Sequence, residues 1–221
     1  MLGGNAGMSF TDFVASRIGD LIRLGIAHAL LVIIAVAIAT AIGVTAGILT
    51  YRTQMPRTVV LGICGIFLTI PSFALFVLLI PFLGLGVKPS IAALVLYSLL
   101  PITRNTIVGL REVDPAVSES ALGMGMSGWQ RLWRIELPLA WPVIITGIRV
   151  ATIIVIGIAA IASIVNGPGY GELIFGGLGR VGTPVALDLA LAGTLGVVVL
   201  VLIFDAGFAA IRRLTTPKGL R

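Results

Sequence analysis

The sequence predicts an all-α bundle of about five membrane-spanning helices, and three observations carry that prediction. Of the 221 residues, 58% are hydrophobic and 11% charged, against roughly a quarter charged in an ordinary soluble domain, and the mean hydropathy is +1.13. Apolar runs recur near 24–50, 58–86, 90–109, 141–165 and 185–211, each long enough for the roughly 20 helical residues that cross about 30 Å of hydrocarbon. The 28 glycines follow no collagen period and stand among Ala, Val, Ile and Leu, a composition that lets helix backbones approach closely in lipid. One cysteine and one histidine exclude a disulfide framework and a Cys/His metal cluster. Cys64 and His28 both lie inside apolar runs and read as packed residues.

Taken in order, residues 1–23 show no basic n-region leading into a short apolar stretch, so no signal peptide is expected. Ser9 to Arg23 reads instead as an amphipathic N-terminal segment outside a membrane domain that covers 24–221. The second run is long for one crossing and contains Pro71 and Pro81; one bent crossing is expected, with two half-spans as the alternative. Pro71 and Ser72, in the middle of that bend, are candidates for lining a pathway, because freed backbone carbonyls are tolerated where they face a cavity. Arg149 falls inside the fourth run, and Asp188 and Asp205 lie toward opposite ends of the fifth. Charge in hydrocarbon is costly, so Arg149 is expected to snorkel or to pair with Asp205, and the two are candidates for gating.

Lys and Arg accumulate near span ends on the cytoplasmic side. Five spans with the N-terminus outside put Arg52, Arg57, Arg104, Arg111, Arg131, Arg134, Arg212, Arg213, Lys218 and Arg221 inside, and leave Arg17, Arg23, Lys88 and Arg180 outside. The C-terminus is then cytoplasmic. A basic membrane protein in contact with the lipid bilayer accounts for the net charge of +6 without a nucleic-acid partner.

The largest polar stretch, about 110–138, lies between the third and fourth runs and is therefore expected in the cytoplasm. Asp114 before Pro115 is an N-cap with proline at the first helical position and predicts a short helix to about Met124. Ser127 stands three residues before Gln130, a capping-box spacing that opens a second helix, and Pro138 is expected to stop it. Trp129, Leu132 and Trp133 then share one face while Arg131 and Arg134 point elsewhere, the arrangement of an interfacial helix.

Read as a string, this loop gives Glu119-Ser120-Ala121, then Gly125, then Ile135, Leu137 and Pro138. It resembles the EAA loop of ABC importer permeases, which runs E-A-A, three residues, G, nine residues, I-x-L-P; the one departure is Ser120 in place of the first alanine. The resemblance implies that Glu119, Ser120, Ala121, Gly125, Ile135, Leu137 and Pro138 form a coupling helix and its support, which dock on an ATP-hydrolysing subunit. Small Ala121 and Gly125 would admit a partner surface and Glu119 would offer it a charge.

Further stretches narrow the branch. They are Thr69-Ile-Pro-Ser-Phe-Ala-Leu75, Leu79-Ile-Pro-Phe-Leu-Gly-Leu-Gly86, Tyr97-Ser-Leu-Leu-Pro-Ile-Thr-Arg-Asn-Thr106, Gly147-Ile-Arg-Val-Ala151 and Gly167-Pro-Gly-Tyr-Gly-Glu172. From about residue 24 onward the chain looks like the permease of osmoprotectant importers, the glycine betaine, carnitine and choline branch, with proline betaine as a further solute. That resemblance implies the type I ABC importer fold, similar to methionine permeases, in a bacterial cytoplasmic (inner) membrane. It also implies a second permease chain, identical or homologous, a dimer of ABC ATPase subunits that holds ATP and Mg, and an extracytoplasmic substrate-binding protein. The outer loop commonly reads G-A-G-G-L-G in this branch and here reads Asn166-Gly-Pro-Gly-Tyr-Gly171; Gly167, Gly169, Tyr170 and Gly171 are expected to contact the binding protein.

The chain itself has no G-x-x-x-x-G-K-[ST] phosphate loop, so it is expected to be a non-catalytic subunit with no cofactor of its own. An intramembrane enzyme would need clustered acids, a metal set or a nucleophile with a base. A secondary transporter would show inverted repeats or several buried charges. A permease for another small solute, such as methionine or an alkyl sulfonate, shares the EAA loop and stays open on these residues.

Overall fold

The computed structural model describes residues 9–215. Lys218, Arg221 and the first eight residues of the N-terminal segment lie outside that range. Every regular element among the described residues is helical: α1 Phe10–Ser16, α2 Ile18–Thr50, α3 Gln54–Thr69, α4 Ser72–Leu83, α5 Val87–Arg111, α6 Pro115–Gly123, α7 Gly128–Arg131, α8 Leu137–Ile161, α9 Gly171–Leu178 and α10 Pro184–Thr215. The helices Ile18–Thr50, Val87–Arg111, Gly128–Val165 and Pro184–Thr215 are each long and apolar enough to cross a membrane.

The second expected crossing is more than bent. Gln54–Thr69 and Ser72–Leu83 meet at 100°, so the pair adds a fifth span only where it crosses as a unit. The break falls at Pro71, which stands as N-cap of α4 with extended ψ of 132°. Proline restricts the residue before it to extended backbone and offers no N–H to the ladder. Pro81 sits inside α4 without breaking it.

The N-terminal boundary also moves. Ser9 and Asp12 form a reciprocal capping box on α1, Arg17 ends that helix, and α2 begins at Ile18 rather than near 24. Along α2, Ile18, Ile22, Ile26, Leu30, Ile34, Ile38 and Ile42 are all exposed, a continuous stripe at helical spacing of the kind that hydrocarbon covers.

Two compact units make up the chain. One is drawn from the described part of Met1–Ala35 with Ile70–Val95 and Ile153–Phe204. In it Phe13 of α1 is seated on Leu189 and Ala192, and Phe10, Val14, Leu21, Leu173 and Val185 close around them. The other takes Val36–Thr69, Leu96–Thr152 and the described part of Asp205–Arg221. There α5 and α8 cross on small residues: a β-carbon at Gly147 would stand 2.5 Å from Asn105 Cβ and 2.8 Å from the Pro101 carbonyl oxygen, and one at Gly109 would stand 3.0 Å from the Ala140 oxygen. Such close crossing is a stabilising contact in lipid, and it fixes the two helix ends between which the loop of α6 and α7 hangs.

Candidate functional site

The loop starts as its local chemistry dictates. The Asp114 carboxylate accepts the Ala116 N–H at 2.8 Å, with Pro115 at the first helical position of α6. Gly125 turns the chain after α6 with φ of +81°, a conformation that costs most residues a steric penalty and glycine none. The Ser127 hydroxyl and the Gln130 side chain then cap α7 reciprocally.

Pro138 does not stop the second helix. Residues Leu132–Glu136 form a π turn that runs without a break into α8, and the Leu137 N–H reaches back to the Leu132 carbonyl. A π turn already interrupts the i to i−4 ladder, so the missing N–H and bulky ring of Pro138 fall where the ladder is open. Leu132 is buried, whereas Trp129 and Trp133 are exposed and meet edge to face at 5.5 Å. The shared apolar face expected for these three residues is therefore reduced to the two tryptophans.

Of the residues expected to dock, Glu119 and Ser120 are exposed on α6, and the Ser120 hydroxyl bonds back to the Ala116 carbonyl at 2.7 Å. Ala121 is 0% exposed, so its small size serves packing inside its own unit and not the approach of a partner. Ile135 and Leu137 are half-buried and Pro138 is exposed. Val117, Leu122 and Met124, which the motif does not single out, are exposed around the same short helix.

The residue that pattern reading passed over is Glu136, the x of I-x-L-P. Its residue is 4% exposed. One carboxylate oxygen accepts the Tyr51 hydroxyl at 2.6 Å and the Arg52 guanidinium at 3.3 Å. The other accepts the Ser118 hydroxyl of α6 at 3.3 Å. Arg131 Nε lies 2.8 Å from that second oxygen but is misaligned for a hydrogen bond, so the contact is Coulombic. The Arg52 guanidinium also lies 5.1 Å from the Tyr51 ring centroid.

Burial, with the bond to Glu136 in second place, pushes the Tyr51 hydroxyl up to about 12 from its ordinary 10. The stability this group contributes is complete below pH 10, where the unfolded phenol is still neutral, and is lost as pH rises through about 12. Tyr51→Phe is expected to remove that alkaline loss while leaving the thermal midpoint below pH 10 lower by about 2–4 °C, the scale of 1 kcal/mol for one hydrogen bond. Thermal unfolding of the purified chain from pH 8 to 12 measures both.

Arg149 and Asp205 are brought together as expected. Both the Nε and one terminal nitrogen of Arg149 lie 2.6 Å from a single oxygen of Asp205, with about a third of each side chain exposed. Pro71 and Ser72 sit at the α3–α4 break, Pro71 exposed and Ser72 half-buried.

The outer loop is enclosed by its own chain. Gly167, Gly169, Tyr170 and Gly171 are all buried. A β-carbon at Gly167 would collide with the Ser90 hydroxyl, one at Gly171 with the Ala160 carbonyl oxygen, and one at Gly169 would lie 2.8 Å from His28 Nδ1. These residues are small because their own chain surrounds them. Exposed positions beside them are Asn166, Glu172 and 178–183. Tyr170 fills a slot between Gly25 of α2 and Gly196 of α10. His28, 0% exposed, closes this region: its Nε2–H donates to the Ile156 carbonyl at 3.0 Å and its Nδ1 accepts the Tyr170 N–H at 3.3 Å. One donor and one acceptor define a neutral imidazole in a packing role.

Comparison with known proteins gives the family and the fold. Residues 39–216 match the model of the family described as binding-protein-dependent transport system inner membrane component. The chain is 39% identical to the osmoprotectant import permease protein OsmW of Salmonella typhimurium, over 97% of this chain and 100% of that protein. It is 38% identical to the glycine betaine/carnitine/choline transport system permease protein OpuCB of Bacillus subtilis, over 95% and 94% of the two chains. It is 37% identical to the choline transport system permease protein OpuBB of the same organism, over 95% of each. In fold it is similar to a chain of the MetNI methionine ABC transporter, with a TM-score of 0.78, 23% identity, and coverage of 91% of this chain and 99% of that one.

Proposed function

Because this chain belongs to the family of binding-protein-dependent transport system inner membrane components, a family of polytopic membrane permeases, we propose that it forms the translocation pathway of an ATP-driven importer for a quaternary ammonium osmoprotectant. Glycine betaine, carnitine, choline and proline betaine are the solutes of that class. The observation that carries the proposal is α6, a short helix capped by Asp114 and ended by Gly125, which presents Glu119, Ser120, Leu122 and Met124 outward between two apolar crossings. Exposed apolar side chains beside an exposed carboxylate on a short helix between two crossings are a docking surface for another subunit. The chain carries no phosphate-binding loop of its own, so two separate ATPase subunits hold ATP and Mg and drive closure.

In this reading a second permease chain completes the pathway, the N-terminus lies outside the cytoplasmic (inner) membrane and the C-terminus inside, and an external binding protein delivers the solute to the exposed 178–183 turn. An aromatic cage in that binding protein recognises the quaternary ammonium group. Pro71 and Ser72 line the path at the α3–α4 break, and the Arg149–Asp205 pair serves as a charge lock between α8 and α10.

The test is ATP-dependent uptake by proteoliposomes that hold this chain with its ATPase and binding protein, offered labelled glycine betaine, carnitine, choline and methionine in parallel. Uptake of a quaternary ammonium compound that disappears without the ATPase is expected. Methionine uptake alone would discard the solute class, and uptake independent of ATPase would discard the importer. In the same assay Glu119→Arg is expected to lower uptake about 30-fold, the scale of 2 kcal/mol for reversing a charge at a docking contact, with the chain still in the membrane. Wild-type uptake by that variant would remove α6 from the docking surface.

A further inference from the structure

The Glu136 cluster joins three parts of the chain: the end of α2 through Tyr51 and Arg52, the coupling helix α6 through Ser118, and the junction of α7 with the π turn through Arg131 and Glu136 itself. Nothing in the ordinary packing of a helix end requires a carboxylate there. Its neighbours Ile135 and Leu137 are apolar, and the position is nearly closed to solvent. A buried carboxylate is retained only with its partners in place, so the three elements are held in one register for as long as Glu136 keeps its contacts. The π turn sits at the same point, and such turns interrupt a helix where it must flex or reorient a side chain.

We propose that Glu136 is the positioning residue that transmits displacement of α6 to α2 and α8, the two membrane crossings it touches. This rests on the reading of α6 as the helix that docks on the ATPase. When the ATPase moves α6, Ser118 carries Glu136 with it; Tyr51 and Arg52 follow because each would otherwise lose its acceptor, and Arg131 because it would lose its counter-charge. The network thus acts as a rigid link between a helix outside the bilayer and two helices within it. Glu119 meets the partner, and Glu136 passes the motion on.

The link is separable from docking. In the assembled importer, in nanodiscs with ATPase, binding protein and glycine betaine, two quantities are read: the stimulation of ATP hydrolysis by loaded binding protein, and solute moved per ATP in the matching proteoliposomes. Glu136→Gln, which keeps shape and removes the charge, is expected to co-purify with the ATPase at the wild-type ratio and to lose about tenfold in stimulation and in solute per ATP. Glu136→Asp is expected to recover part of both. Ser118→Ala, which cuts only the contact to α6, is expected to fall between wild type and Glu136→Gln.

Wild-type coupling in Glu136→Gln, or in Ser118→Ala where Glu136→Gln does not assemble, overturns the proposal and leaves the importer reading intact. Absence of ATP-dependent transport by the wild-type assembly overturns both readings.

Discussion

Asp205→Ala is expected to lower the stability of the membrane domain by about 2–4 kcal/mol, because it leaves Arg149 charged and without its partner in a helix that crosses hydrocarbon. Two magnitudes bracket the figure. Stranding one member of a buried ion pair costs about 3–5 kcal/mol in soluble proteins, and an arginine at the centre of a membrane helix costs about 2.5–3.5 kcal/mol on insertion scales. The pair is about one-third exposed in the single chain, which lowers the estimate toward the smaller value. Depth raises it again: Asp205 lies seven residues before Arg212, about 10 Å along the helix, too far inside for a short carboxylate to reach the interface.

The geometry separates charge from hydrogen bonding. Both arginine nitrogens converge on the same Asp205 oxygen, so Asp205→Asn keeps an acceptor at that place and is expected to lose about half as much. Exchanging the charges, Arg149→Asp with Asp205→Arg, is expected to recover part of the Asp205→Ala loss. Thermal unfolding of the purified importer in nanodiscs measures all three, and an Asp205→Ala variant as stable as wild type would show that the pair contributes no net stability.

How much of this was legible in the sequence depended on the range of the interaction. The caps at Asp114 and Ser127 and the turn at Gly125 were readable because each is satisfied within four residues of chain. The Arg149–Asp205 pair was readable across a long separation because charge in an apolar run demands a partner. Pro138 misled because proline's effect depends on the register of the ladder before it, and the π turn had already shifted that register. Glu136 escaped notice because its meaning lies in Tyr51 and Arg52, some 85 residues away. Its one local sign was a carboxylate set between Ile135 and Leu137. The outer loop misled for the opposite reason: its glycines suggested an accessible loop, while their actual neighbours, His28, Ser90 and Ala160, come from other helices.

That crowding gives the sharpest steric prediction. A β-carbon at Gly25 would lie 2.6 Å from the Tyr170 hydroxyl oxygen and 3.2 Å from its Cζ, whereas one at Gly196 would lie 2.6 Å from both Cε1 and Cζ and 2.8 Å from Cδ1. Gly25→Ala and Gly196→Ala are each expected to cost about 1–3 kcal/mol as overpacking, but their remedies differ. Tyr170→Phe deletes only the atom that Gly25→Ala strikes, and the 3.2 Å contact that remains is absorbed by a shift of a few tenths of an ångström. It is expected to rescue Gly25→Ala. It is not expected to rescue Gly196→Ala, whose methyl still meets ring carbons. Tyr170→Leu removes the ring and is expected to relieve both. Double-mutant cycles of thermal stability in nanodiscs decide the matter: equal rescue of the two glycine variants by Tyr170→Phe would mean that the ring does not sit between α2 and α10 as placed. Unequal rescue ties the one aromatic departure in the loop to two glycines that lie 171 residues apart in the chain, and makes Tyr170 a packing key whose fit is set by the helices around it.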